Sequence, residues 1–494
     1  MRSRRSFSAL VCVAMTLAGA CAVNPVSGRP QFVLVSKQGE KEMGEREAQR
    51  VRQSMGFAGN AALAAYVDAI GQRLAAQSPR RDVQYQFHIV DTPEPNAFAL
   101  PGGYVYVSRG LLVLVNSEDE LAGVIGHEIG HVAARHSVAQ ITRAAPLAVV
   151  TNLSAAVTGL ASPLLGQVVG GVGGLASGLV LAPFSRDQER EADRVGQAMV
   201  AAAGWDPAGL ATILGTMERE QELQGNEPGR MSFLASHPST PERVANTTAY
   251  AKELKRAPSA PICETNGALL ARLDGLVVDQ GAYEGVFVGQ AFMHPDLDLL
   301  IRFPTDWRTQ NDRHQAGAVS PDHNALVLLQ TVGVGDDPLA GARALERASG
   351  SPVVENTKLG AVGGLKVAST RARTHTESGE VVVELAWIAY AGHVYQIVGV
   401  APLQRSDWFA PVFDGVVQSF RPLKPAERAS IRENHLRVIE ARQDEELGAL
   451  ITRSKGRWGA PMTAVVNALS ADQPLVAGQL VKLAIAEPYV SSAH

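Results

Sequence analysis

Cysteine is scarce, at three in 494 residues. Three thiols cannot staple a chain of this length, which excludes a disulfide scaffold. Aromatic residues are also few, at 5%, and neither sign of charge dominates: Lys+Arg 45 against Asp+Glu 49 leaves −4. A nucleic-acid binder usually carries a basic excess, so the composition argues against nucleic acid as a partner. With 46% hydrophobic and only 19% charged residues, disorder of the whole chain is excluded. No fixed-period internal repeat occurs. The most unusual deficit is local: residues 144–185 contain no charged side chain.

What the chain does have starts at its first residues. Arg2, Arg4 and Arg5 precede an apolar run over residues 7–20, the layout of a secretory signal. The run is too short for a comfortable transmembrane helix. It ends in Leu17-Ala18-Gly19-Ala20-Cys21, small residues before a cysteine that resemble a bacterial lipobox. The expectation is a signal peptide over 1–20 and lipidation at Cys21. Ala22 in place of an acidic residue points to the inner face of the outer membrane, in the periplasm. Cys263 is then the single thiol left free.

At roughly 150 residues per domain, the length suggests about three domains. Residues 37–77 carry a polar helical pattern, and residues 83–90 alternate with period two. Pro101-Gly102-Gly103 leads into a second strand at 104–107, expected to pair antiparallel with 83–90. Ser117-Glu118-Asp119-Glu120 is a capping box that opens a helix through Ala134. Ser185-Arg186-Asp187-Gln188 opens another, and Thr240-Pro241 a third. Residues 259–281 read as a linker. Short strands follow, for example at 297–303 and 381–387, then a helical link at 425–434 and a small final unit.

The chemistry sits in the first capped helix, at His127-Glu128-Ile129-Gly130-His131. Histidines four apart are turned by about 40° on a helix, so both imidazoles face one point. Neutral imidazoles suit Zn²⁺, and a catalytic zinc takes three protein ligands and keeps one position open. Glu128 stands beside the pair as the group that takes a proton from the attacking water and passes it to a leaving amine. A third ligand is available downstream. Glu189 and Asp193, four apart, share a helix face, so one carboxylate can bind zinc while the other supports a ligating histidine. Glu191 points away from that face. His136, nine residues after His127, is half a revolution out of phase and reads as structural; His88 carries no local pattern.

H-E-x-x-H followed by Ser-Arg-x-x-Glu-x-x-Ala-Asp resembles the M48 metallopeptidases. Asn96-Ala97-Phe98-Ala99-Leu100-Pro101-Gly102-Gly103 and Ser236-His237-Pro238-Ser239-Thr240-Pro241-Glu242-Arg243 match the same family. The resemblance covers about residues 24–255. It implies one zinc ion held by His127, His131 and Glu189, with Glu128 as general base and Asp193 behind a ligand. It further implies that His237 can occupy the open zinc position and hold the enzyme latent, with Arg243 lining the cleft. Substrate is expected to lie extended along the 104–107 strand edge.

The expected fold is α+β: a mainly helical zincin-type domain over 21–258 with a small antiparallel sheet, then two small β-containing modules. Residues 282–424 resemble a PsbP-type module, on text such as Leu300-Ile301-Arg302-Phe303-Pro304 and Ser419-Phe420-Arg421-Pro422. Residues 425–494 resemble a degenerate LysM unit in which Gln443-Asp444-Glu445 replaces the usual Gly-Asp-Thr. The uncharged insert, with Gly166, Gly170, Gly171, Gly173, Gly174 and Gly178, is expected to form helices flanking the cleft; the alternative is a membrane-dipping lid. The expected function is a zinc endopeptidase that cleaves unfolded or misassembled envelope proteins. The alternative is an envelope-assembly or cell-wall-binding factor with a latent peptidase, and peptidoglycan as a partner.

Overall fold

The computed structural model describes residues 21–33, 35–142, 183–225, 232–263, 265–349, 353–376 and 379–491. The signal-like residues 1–20, and all but the last three positions of the uncharged insert, lie outside the described residues. The fold class is α+β, and the chain divides into two units. One holds everything described up to Asp279 together with Asn434–Ala486; the other holds Gln280–Glu433 and the last described residues.

In the first unit a short antiparallel pair, β1 (Cys21–Val23) and β2 (Pro30–Phe32), precedes α1 (Lys37–Ser54) and α2 (Ala61–Ala75). A three-stranded sheet follows, formed by β3 (Gln86–Val90), β4 (Ala97–Leu100) and β5 (Tyr104–Ser108) in the order β3-β5-β4. The expected antiparallel pairing of 83–90 with 104–107 is corrected here: β3 and β5 run parallel, and the antiparallel partner of β5 is β4. The reason is the turn. Gly102 and Gly103 adopt φ of 83° and 100°, conformations open to glycine, and they fold β4 back on β5 as a hairpin. That places β5 in the centre, so its edges are already paired and cannot take a substrate strand. The outer strands are β3 and β4.

After α3 (Arg109–Leu114) comes α4 (Glu118–Ala133), buried along nearly its whole length. Ser117 caps it by accepting the Glu120 N–H, and the Glu120 carboxylate accepts from the backbone N–H of Asn116. The partner helix α5 (Arg186–Ala203) starts at a complete capping box of Ser185 and Gln188. The two helices cross at small residues. A Cβ on Gly196 would stand 2.8 Å from the backbone of Gly126 and His127, and one on Gly130 2.7 Å from the Ala192 carbonyl oxygen. This close approach sets residues 127 and 131 opposite 189 and 193. Helices α6 (Gly209–Gln224), α7 (Phe233–Ser236) and α8 (Pro241–Glu253) complete the helical layer.

Residues 259–281, expected to be a linker, contain α9 (Asn266–Leu273), and Leu269, Leu270, Leu273, Leu276 and Val278 enter the main core. Their apolar spacing has a surface to cover. The final residues of this unit belong to a strand–helix–helix–strand arrangement: strand Arg432–Glu440, helices Leu447–Ser454 and Ala460–Val466, and strand Leu480–Pro488, with the strands paired. Leu436, Val466 and Ala484 share the core with α4 and α6. Lys482 is fully buried, and its ammonium donates to the carbonyls of Val113 (2.7 Å) and Val115 (2.8 Å) at the end of α3.

The second unit is built on a seven-stranded antiparallel sheet and a smaller four-stranded one. Strand Gly379–Tyr390, next to the central strand His393–Pro402, sends Val383, Leu385 and Trp387 to one face and Ala386 and Ile388 to the other. Helix Leu339–Ser349 covers the first face and helix Ser406–Gln418 the second. Among the described residues no helix is long and apolar enough to cross a membrane.

Candidate metal centre

Helix α4 presents His127, Glu128 and His131, and α5 presents Glu189 and Asp193. The loop after α7 brings in His237, and the first turn of α8 brings in Arg243. None of these but Arg243 is more than 4% exposed, and Arg243 is 6% exposed, so the centre is closed to solvent. His127 Nε2 lies 3.0 Å from His131 Nε2 and 3.2 Å from His237 Nδ1. Glu189 Oε1 lies 3.0 Å from His237 Nδ1 and 3.3 Å from His131 Nε2, and Oε2 lies 3.6 Å from His127 Nε2. Four donor atoms at about 2.0–2.1 Å from a tetrahedral zinc stand about 3.3 Å apart. The observed separations bracket that value, so the residues present fit the metal; His127, His131, Glu189 and His237 form one possible ligand group.

The tautomers support the same fit. Asp193 Oδ1 is 2.8 Å from His127 Nδ1, and a carboxylate only accepts, so His127 carries its proton there and turns the Nε2 lone pair inward. Arg243 grips Asp193 with two bonds, Nε to Oδ2 (2.9 Å) and a terminal nitrogen to Oδ1 (2.8 Å). Its other terminal nitrogen is 2.7 Å from Glu189 Oε2 and donates to the His237 carbonyl at 3.1 Å. Burial holds the His131 imidazole well below its ordinary pKa, hence neutral. Burial would raise Glu189 and Asp193. Histidine partners overcome it, chiefly His237 for Glu189 and His127 for Asp193, so both stay low and ionised.

Two carboxylate oxygens of the centre, Glu189 Oε2 and one on Glu128, lack a hydrogen-bond partner; Glu128 carries the one beside His237. Its Oε1 makes no hydrogen bond and sits 3.5 Å from His237 Nε2; burial pushes its carboxyl above the usual range. His237 itself is fully enclosed. Burial would lower it, but Glu189 and Glu128 raise it overall. The Phe233 ring stacks on it at 4.5 Å, and Phe184 lies 5.2 Å from it and 4.0 Å from His131.

The structure thus brings together Glu128, His127, His131, Glu189, Asp193, His237 and Arg243. Cys21 lies in β1, apart from them in sequence. Sequence reasoning missed Phe184, Phe233, Glu191 and the contact of His136 with His131. Helical phase misplaced His136, because α4 ends at Ala133 and Arg135 turns the chain with φ of 59°. Glu191 does point away from the centre, but toward His136.

A histidine pair on one helix with Glu128 between them, a glutamate on the next helix and His237 make a group that could bind a metal. Residues 61–251 match the model of peptidase family M48. Over 223 residues the chain is 33% identical to the mitochondrial metalloendopeptidase OMA1 of Schizosaccharomyces pombe, a stretch covering 44% of this chain and 63% of that one. Over 221 residues it is 28% identical to the beta-barrel assembly-enhancing protease of Escherichia coli, covering 44% of each. The chain therefore spans less than two thirds of these relatives. The solution structure of the cyanobacterial PsbP of Synechocystis sp. aligns with 29% of this chain and 98% of that one, at 12% identity and a TM-score of 0.23.

Proposed function

We propose that the protein is a zinc endopeptidase that hydrolyses unfolded or misassembled envelope polypeptides, held in a latent state at rest. The carrying observation is the buried meeting of His127 Nε2, His131 Nε2, the Glu189 carboxylate and His237 Nδ1, with Glu128 beside it. We assign one Zn²⁺ to this group. When bound, zinc supplies a Lewis acid that lowers the pKa of water to about 7 and polarises a peptide carbonyl. Glu128 takes the proton of the attacking water at its free Oε1 and returns it to the leaving amine. Asp193, fixed by Arg243, keeps His127 in the binding tautomer. Substrate would extend along β4, whose outer edge has no strand partner among the described residues.

His237 takes the fourth position in this reading, which is why the centre is closed; activity requires its loop to withdraw. This also favours the narrower alternative of an assembly factor whose peptidase is normally silent. We place the protein in the bacterial periplasm, lipid-anchored at Cys21, with peptidoglycan as a further partner of the LysM-like unit. The test is metal analysis and casein digestion by the purified full chain. We expect one zinc per chain and cleavage abolished by a chelator. Glu128→Gln should retain zinc and lose about 10²–10⁴-fold in rate; a zinc-free chain, or normal cleavage by Glu128→Gln, refutes the assignment.

A further inference from the structure

The two helix histidines are supported differently. His127 meets a carboxylate directly, through Asp193. His131 does not. Its Nδ1 faces His136 Nδ1 at 3.0 Å, and His136 Nε2 faces Glu191 Oε2 at 2.9 Å. A carboxylate can only accept, so His136 donates from Nε2, and in the neutral imidazole its Nδ1 is then an acceptor. His131 must therefore donate from Nδ1, which leaves its Nε2 lone pair facing His127, Glu189 and His237. On an unbroken helix residue 136 would stand about 140° round from residue 131. The turn at Arg135 brings it back.

The line continues to the start of the described chain. Asn24, 6% exposed, donates from Nδ2 to Glu191 Oε2 at 3.0 Å and Oε1 at 3.3 Å. Its own Oδ1 accepts the backbone N–H groups of Val26 (2.8 Å) and Ser27 (3.2 Å), which fixes the side chain in the turn between β1 and β2.

We propose that His136 is a positioning residue for His131, locked by Glu191, and that the segment just after Cys21 completes this support through Asn24. The inference rests on the reading that His131 holds zinc. An imidazole free to change tautomer or flip presents an N–H to the metal instead of a lone pair. Loss of such outer support costs about 10–100-fold in metal affinity.

The experiment is zinc affinity by chelator competition on the full chain, paired with ¹⁵N histidine shifts on the metal-free protein. His136→Phe should weaken zinc about 10–100-fold and replace the single Nδ1–H tautomer of His131 with a mixture. His136→Asn, whose side-chain oxygen falls near the place of Nδ1, should recover most of both. Asn24→Ala and Glu191→Gln, at the rim, should each weaken zinc a few-fold without unfolding the chain. If His136→Phe does not fold, these two carry the test. Wild-type zinc affinity and an unchanged His131 tautomer in folded variants overturn the inference while leaving the metal site standing. Equal losses for Phe and Asn reduce His136 to packing and also overturn it. A wild-type chain that binds no zinc overturns the metal reading and the inference with it.

Discussion

Asp193 and Arg243 show how far a buried charge pair reaches at the scale of single residues. Two buried ions are costly unless each is matched in geometry and hydrogen bonds, and here the fork of Arg243 meets both carboxylate oxygens. The pair's return is orientation: Asp193 can then accept the Nδ1 proton of His127. Asp193→Asn should lower zinc affinity about 10–100-fold, measured by competition with a chelator, while secondary structure persists. Unchanged affinity would mean that His127 keeps its tautomer unaided. The ligand residues were legible in the sequence because their chemistry is local: two histidines one turn apart and two carboxylates one turn apart. The aromatic walls, Phe184 and Phe233, were not. Phe184 comes from a loop and Phe233 from the one-turn helix α7, and their places depend on contacts such as the Phe184 N–H to the Ser236 carbonyl, which no local pattern encodes.

Among the elements, the α4–α5 crossing does most to build the site. Gly126, Gly130 and Gly196 let two backbones meet where any side chain would intervene. Gly196→Val should force the helices apart at the level of His127, costing about 1–3 kcal/mol in stability and reducing zinc occupancy together. Thermal unfolding and metal content check both, and a variant with full zinc and unchanged melting temperature would remove the crossing from the account. Both helix starts were readable from their caps, whose hydrogen bonds depend on residues three apart. The sheet order was not, because a two-glycine turn specifies a hairpin but not which strand lies beside it. Nor was the packing of residues 259–281, whose leucines gain their surface from helices distant in sequence.

In the whole molecule, the final strand–helix–helix–strand arrangement is joined to the catalytic core rather than tethered beside it. Lys482 is its plug. Burial pushes its ammonium down to about 7, opposed by Glu120. Between about 7 and the ordinary 10.5, the unfolded chain then holds a proton that the native one lacks, so this group makes stability rise with pH across that window. The melting temperature of the wild type should climb over pH 7 to 9 relative to Lys482→Met, which should be flatter; parallel curves would deny Lys482 that role. The LysM-like text was visible in the sequence, but its attachment was not, since contacts between residues far apart in the chain carry it. In the proposed resting state His237 caps a working zinc peptidase. The most direct measurement is the rate of casein cleavage by zinc-loaded His237→Ala, with and without Glu128→Gln. Faster cleavage than wild type is expected in the single variant and loss of cleavage in the double one. Equal rates in the two variants, or no cleavage by either, would contradict it.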